Sequence, residues 1–207
     1  NLMKLFDYDS GFMQFITLLS LLTLLNILWT VCCIPVVTAG AATAAQYYSA
    51  QKLFEGDTHI FGNFRAGMRL YWRKSTIIWL FTALLSSAFL IGFYILTTAV
   101  VPGQTILTSI SALAFVTMLM ILLWVYPVMI HFTGNLREIF FNAFVFTFMY
   151  APITLIAAAL YGLFAFLAFR YAIVLGLYLI FGQSLIVYAI LILFGKVFQK
   201  YKTNQGN

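Results

Sequence analysis

The sequence predicts an all-α fold: a polytopic helical membrane protein with five transmembrane helices, or six. A cytoplasmic amphipathic helical segment is expected after the first span. Three observations predict it. The chain of 207 residues is 64% hydrophobic and 8% charged, with a mean hydropathy of +1.02, where a soluble domain carries about 25% charged residues. Residues 10–51, 75–136, 139–169 and 171–195 contain no Asp, Glu, Lys or Arg. Within those gaps apolar residues run continuously, which excludes the alternating ~10-residue segments of a membrane β-barrel.

A span needs about 20 apolar residues. The first is expected over about 12–35, after "DYDSGF", where Asp9 or Ser10 can cap the free backbone N–H groups. The gap at 75–136 must hold two spans, about 75–98 and 105–130, with Pro102-Gly103 marking the turn. The remaining gaps hold one span each, about 139–167 and 172–196. No cleavable signal peptide is expected, because Lys4 stands against Asp7 and Asp9 where a signal would be basic.

The stretch "VVTAGAATAAQYYSAQKLF" (36–54) leaves the span count open. It is alanine-rich, carries Gln46 and Gln51, and is barely long enough to recross. With five spans the termini lie on opposite faces. Lys52, Arg65, Arg69, Arg73, Lys74, Arg137, Lys196, Lys200 and Lys202 then share one face, and Lys4 and Arg170 the other. The positive-inside rule makes the larger group cytoplasmic, with the C-terminus inside and the N-terminus outside. If residues 36–54 recross, Lys4 joins the inner group and the rule holds equally well.

Between the first two spans, residues 40–54 and 58–74 read as cytoplasmic or interfacial helices around the turn "EGDT". In the second, Phe61, Phe64, Met68 and Tyr71 recur at helical spacing, with Arg65, Arg69 and Arg73 on an adjoining stripe ahead of Lys74. Thr58 can cap this helix, and Asp57 suits its dipole. Such a helix fits the lipid headgroup layer, where a basic residue is worth roughly 1 kcal/mol near an anionic leaflet. It also fits a protein partner. Nucleic acid is not expected, since topology alone accounts for the net charge of +6.

Ionisable residues inside a membrane mark transport or catalysis, and these spans hold almost none. His131, Arg137, Glu138 and Arg170 sit at span ends, and a His131–Glu138 pair is conceivable. Asn26, Asn142, Gln183 and scattered Ser and Thr are the polar residues within spans, of the kind that hydrogen-bond between helices. Ala88/Gly92 and Ala158/Gly162, with Gly176, place small residues where helices could pack closely. Adjacent Cys32 and Cys33 suggest neither a disulfide framework nor a metal site. With no P-loop, nucleophile elbow, paired carboxylates or metal-ligand spacing, no catalytic residue, metal or cofactor is expected.

Three blocks carry a resemblance: "LFDYDSGFMQF" (5–15), "LLNILWTVCCIPVVTAGAATAAQYY" (24–48) and "FGNFRAGMRLYWRKSTIIWL" (61–80). Together they resemble the YesL-like family of bacterial membrane proteins, over roughly the first 80 residues, with Gly11 where that family has proline. The family has no assigned biochemical activity. Its members tend to be encoded beside carbohydrate ABC importers and their sensors, so the resemblance implies an accessory role in sugar uptake. It assigns no functional residue. The expected function is a non-enzymatic subunit that binds the membrane subunits of a carbohydrate ABC importer in the bacterial cell membrane. The alternatives are a stand-alone or homo-oligomeric small-solute transporter and a membrane partner of a sensor kinase.

Overall fold

A computed structural model describes residues 11–98 and 102–204, so Lys4, Asp7 and the expected caps Asp9 and Ser10 lie outside the described residues. The described chain is almost entirely helical and contains no strand. Its elements are α1 (Gly11–Cys33), a 3-10 turn (Val36–Thr38), α2 (Ala39–Phe54), α3 (Ile60–Thr98) and α4 (Gln104–His131). They continue with α5 (Leu136–Met149), α6 (Ala151–Arg170), α7 (Ala172–Leu177), a π-helical turn (Tyr178–Gly182) and α8 (Gln183–Asn204). Five of them are long and apolar enough to cross a membrane: α1, α3, α4, α6 and the run from Ala172 to Gly195. The expected helical membrane protein with five such helices is what the chain forms.

α1 stops where Pro35 removes a backbone donor and biases Ile34 away from helix. The Thr38 hydroxyl donates to the freed carbonyl of Cys32 at 2.5 Å and to that of Pro35 at 2.8 Å. The chain then reverses. Trp29 Nε1 donates to Thr43 Oγ1 at 3.1 Å, while Gln14, Thr17 and Leu18 near the start of α1 share one cavity with Leu53, Gly56 and Thr58. α2 therefore runs antiparallel to α1 and retraces about 24 Å of it.

Burial singles out α2. Ten of its 16 residues are buried, from Gly40 to Leu53, and α1, α3, α4 and α8 all pack against it. The stretch expected to lie in the interfacial layer is thus enclosed by the bundle. Alanine and glycine make this possible: without a hydrophobic force between helices in lipid, close backbone approach supplies the packing. A methyl group added to Gly40 would stand 2.5 Å from Ser75 O and Trp79 Cβ, and one on Gly67 2.9 Å from Ala45 Cα. These two glycines set the antiparallel fit of α2 against the first half of α3.

Two expected boundaries change. The helix expected over 58–74 and the span over 75–98 form one helix of 39 residues. No proline or turn residue separates them, and a change from basic to apolar side chains does not interrupt backbone hydrogen bonding. Conversely, the span expected over 139–167 divides at Tyr150 (φ −114°, ψ 41°). Pro152 has no N–H, and its ring would clash with the carbonyl four residues earlier. The Thr154 hydroxyl sits within 3.1 Å of both the Thr147 and Tyr150 carbonyl oxygens left at the break.

The aromatic core lies between α4, α5 and α8. Trp124 stacks on Phe194 with ring centroids 3.7 Å apart and donates its indole N–H to Thr154 Oγ1 at 2.8 Å. Both polar and apolar requirements of a buried tryptophan are met there.

Candidate functional site: a buried polar seam and an exposed basic stripe

The polar residues of the interior gather where α1, α2, α6 and α8 meet. A π-helical turn shifts backbone pairing by one residue and leaves groups without their helical partners, and Asn26 of α1 takes them up. Its Nδ2 donates to the carbonyls of Tyr178 (3.1 Å) and Leu179 (2.7 Å), and its Oδ1 accepts from Ser184 N–H at 2.7 Å. Thr30, one turn on, donates to Leu179 O at 3.2 Å. One side chain on the first span therefore fixes the irregular segment of the last.

The seam continues through side chains. Gln46 Nε2 donates to Ser184 Oγ at 2.8 Å. The Tyr178 hydroxyl donates to Gln183 Oε1, and Gln183 Nε2 reaches the Tyr161 hydroxyl at 3.3 Å. Tyr161 is also hydrogen-bonded to Tyr47, whose ring stacks on Tyr126 at 5.7 Å. Asn26, Gln46, Ser49, Gln183 and Ser184 are all buried. Gln46 Oε1 and Ser49 Oγ have no hydrogen-bond partner among the described residues.

The second feature is on the outside of α3. Arg65, Arg69 and Arg73 recur every four residues and are exposed, with no ion pair among the described residues. Of the apolar residues expected beside them, Phe61 is exposed, but Phe64 is buried and Met68 packs against the core. Leu70 and Trp72 are exposed instead, at 62% and 55%. The apolar face of this amphipathic helix is consumed by α2. What remains outside is a cationic stripe with aromatic neighbours. Lys74, also exposed, donates through Nζ to Gly134 O at 2.6 Å and ties α3 to the α4–α5 loop.

At the start of α3 the side-chain cap comes from Asp57 rather than the expected Thr58: Asp57 Oδ1 accepts from His59 N–H and meets His59 Nδ1, each at 3.0 Å. The His59 backbone N–H, foremost, holds the Asp57 carboxyl below its ordinary range.

Other expected residues are placed as follows. Gly92, Gly162 and Gly176 have no atom within 4 Å of an added methyl position, so these small-residue positions do not bring helices of this chain together. Ala88 is exposed and Ala158 half-buried. Asn142 is half-buried on α5, away from the residues bonded in the seam. His131 and Glu138 have separate partners: His131 Nδ1 lies 2.8 Å from Pro127 O and its ring stacks on Phe198, while Glu138 and Asn135 form the capping box of α5. Cys32 and Cys33 are free thiols. Among the described residues no group of three His, Cys, Asp or Glu is arranged to hold a metal ion. Sequence reasoning missed Gln46, Tyr47, Tyr161, Tyr178 and Ser184 as members of one cluster. The signals for it were Asn26 and Gln183 within spans and Gln46 in an otherwise small-residue stretch.

Residues 22–93 match a family described as protein of unknown function, DUF624. The match covers about a third of the chain. It takes in the second half of α1, all of α2 and most of α3, so it includes Asn26, Gln46 and the arginine stripe. Over that stretch the chain is similar to the DUF624 family. Tyr161, Tyr178, Gln183 and Ser184, which complete the seam, lie beyond the DUF624 block. No curated protein and no solved structure matches the chain.

Proposed function

We propose that this protein acts by contact, as a non-enzymatic accessory subunit that binds the membrane subunits of a carbohydrate ABC importer in the bacterial cytoplasmic membrane. The observation that carries the reading is the stripe Arg65, Arg69 and Arg73. Three guanidinium groups without an ion pair among the described residues stand beside exposed Leu70 and Trp72. Arginine and tryptophan are the side chains that most often dominate contact energies. The buried polar groups serve the fold: Asn26 meets three backbone groups, and Gln183 and Tyr178 meet each other. The choice of a sugar importer as partner rests on the YesL-like resemblance of residues 5–15, 24–48 and 61–80. The cytoplasmic placement of Lys74 and the loop at 131–138 is favoured by the charge sorting and by the Lys74–Gly134 hydrogen bond.

The test is co-purification. The protein, tagged at its C-terminus, is extracted from native membranes in a mild detergent, and stoichiometric companions are identified by mass spectrometry. Importer membrane subunits are expected, and R65Q/R69Q/R73Q is expected to lose them while remaining folded. A protein that purifies alone, or with a sensor kinase, overturns the importer reading.

A second reading, a small-solute transporter, draws on the unpaired Gln46 Oε1 beside Asn26 and Gln183. Liposomes holding this protein alone would then accumulate a solute, and Gln46→Leu would stop it.

A further inference from the structure

Between the second half of α3 and α4 lies an open cleft of about 590 Å³. Its walls include Phe81 and Phe89 on one side and Leu113 and Ile121 on the other, and Phe140 of α5 lines one end. Two threonines face it, yet neither offers a free donor. Thr82 Oγ1 donates to Trp79 O at 2.9 Å and Thr117 Oγ1 to Leu113 O at 2.9 Å. The walls are therefore apolar in effect. Phe81 and Leu113 are 53% and 69% exposed, so the cleft opens sideways, toward the surroundings of two spans.

Its two ends differ. At the end closed by Phe81 and Phe140, whose rings meet at 5.9 Å, the chain carries cations. Lys74 is seven residues before Phe81, two turns along the same face of α3. Arg137 is one turn before Phe140 on α5. The Lys74–Gly134 hydrogen bond brings the α3 side and the α5 side to one corner. Arg73 stands beside Lys74, and both arginines are exposed. Against these three cations the corner has one carboxylate, Glu138, which accepts a hydrogen bond from the Asn135 N–H in the capping box. The opposite end, toward the Pro102–Gly103 turn, has no charged residue on α3 or α4 among the described ones.

Depth matches as well as charge. Phe81 to Phe89 spans about 12 Å along the helix, close to the ~15 Å of one leaflet's hydrocarbon. Lys74 lies about 10 Å further on, at the depth of lipid phosphates. From this apolar cleft one leaflet deep with a basic mouth, we infer a binding site for an anionic phospholipid. Its acyl chain lies between α3 and α4, and its phosphate meets Lys74 and Arg137. Basic pockets between spans recognise lipid headgroups through the same chemistry. The site does not depend on the importer reading.

The test uses the full-length protein in vesicles of equal phosphatidylglycerol and phosphatidylcholine. Protein is extracted in detergent and the lipid retained per molecule is quantified. Phosphatidylglycerol is expected to be retained several-fold over phosphatidylcholine. K74Q/R137Q should return the ratio to that of the vesicles. R137Q alone should lower it, and Arg137 makes no described hydrogen bond whose loss would disturb the fold. Ala114→Phe, which fills the cleft, should reduce both lipids. R170Q, at the opposite end of the spans, should change nothing. The proposal is overturned by equal retention in the unmodified protein. It is equally overturned by a preference that survives K74Q/R137Q, or one that vanishes in R65Q/R69Q instead.

Discussion

Asn26→Ala is the sharpest probe of the interior. The substitution removes two donations, to Tyr178 O and Leu179 O, and one acceptance, from Ser184 N–H. Hydrogen bonds between spans are worth about 0.6 kcal/mol on average and up to about 1.7. With distances of 2.7, 3.1 and 2.7 Å, the three together contribute about 2 kcal/mol. Leaving the Ser184 N–H unpaired in a fully buried position adds about 1 kcal/mol. The expected loss is about 3 kcal/mol, more than a hundredfold in the folded-to-unfolded ratio. Equilibrium unfolding by SDS in mixed micelles measures it, and amide exchange at Ser184 localises it. Asn26→Asp keeps the acceptor for Ser184 but loses both donations, so it should fall at least as far. A loss below about 1 kcal/mol for the alanine variant would refute the idea that Asn26 holds the π-helical turn.

Gly40→Ala and Gly67→Ala should each destabilise by about 1–3 kcal/mol through overpacking, because the new methyl meets backbone atoms at 2.5 and 2.9 Å. Gly62→Ala, with nothing near, should instead gain up to about 1 kcal/mol, and thermal unfolding in detergent reads all three. Ser49→Ala should be neutral or stabilising, since it deletes a buried hydroxyl with no described partner; a loss above about 1 kcal/mol would mean that the hydroxyl is bonded. Asp57, its carboxyl held low, should support the start of α3 above the ordinary aspartate range near pH ~3.9 and lose that support as pH falls through its lowered native value. Acid-induced exchange at His59–Asn63 should therefore flatten in Asp57→Asn. Finally, cysteines at Gln14 and Thr58 should cross-link through a short spacer and react with an impermeant maleimide from the same membrane face, because both positions line one cavity. Labelling from opposite faces would break the antiparallel pairing of α1 with α2.

Hydropathy made the membrane class and the five long apolar helices legible, because lipid requires uninterrupted helices of about 20 residues. It did not reveal the burial of α2, for a physical reason. "AGAATAAQYYSAQKLF" scores as modestly apolar, and modest apolarity reads as interfacial. Among helices in lipid, however, small side chains permit the closest backbone approach, so low hydropathy and deep burial coincide there. The same logic explains the glycines. Gly92 and Gly162 have a small residue four positions before them yet meet nothing at an added methyl, while Gly40, with Ala44 four positions on, and Gly67, with no such partner, make the close approaches. Spacing shows that a helix could be approached; only the neighbouring backbone decides whether it is.

The exposed stripe was legible for a complementary reason. Arg65, Arg69 and Arg73 cannot be buried without partners, so their periodicity alone assigns them outside. The side of the helix opposite them was misassigned in part, because Phe64 and Met68 suit lipid, a partner or α2 equally well. α2 decides among these: with Gly67 admitting the α2 backbone, Phe64, Met68 and Tyr71 pack inward and leave Phe61, Leu70 and Trp72 beside the arginines. The surface available to a partner is therefore narrower than the sequence implies, and more cationic. The same residues, 60 to 75, also pack on α2 at Ala45 and Tyr48, on either side of Gln46 and Tyr47 in the sequence. A substitution on the apolar side of this helix should alter the buried seam and the outer stripe together, whereas the three arginines can be changed without touching the seam. R65Q/R69Q/R73Q is for that reason the variant that separates a role in contact from a role in folding.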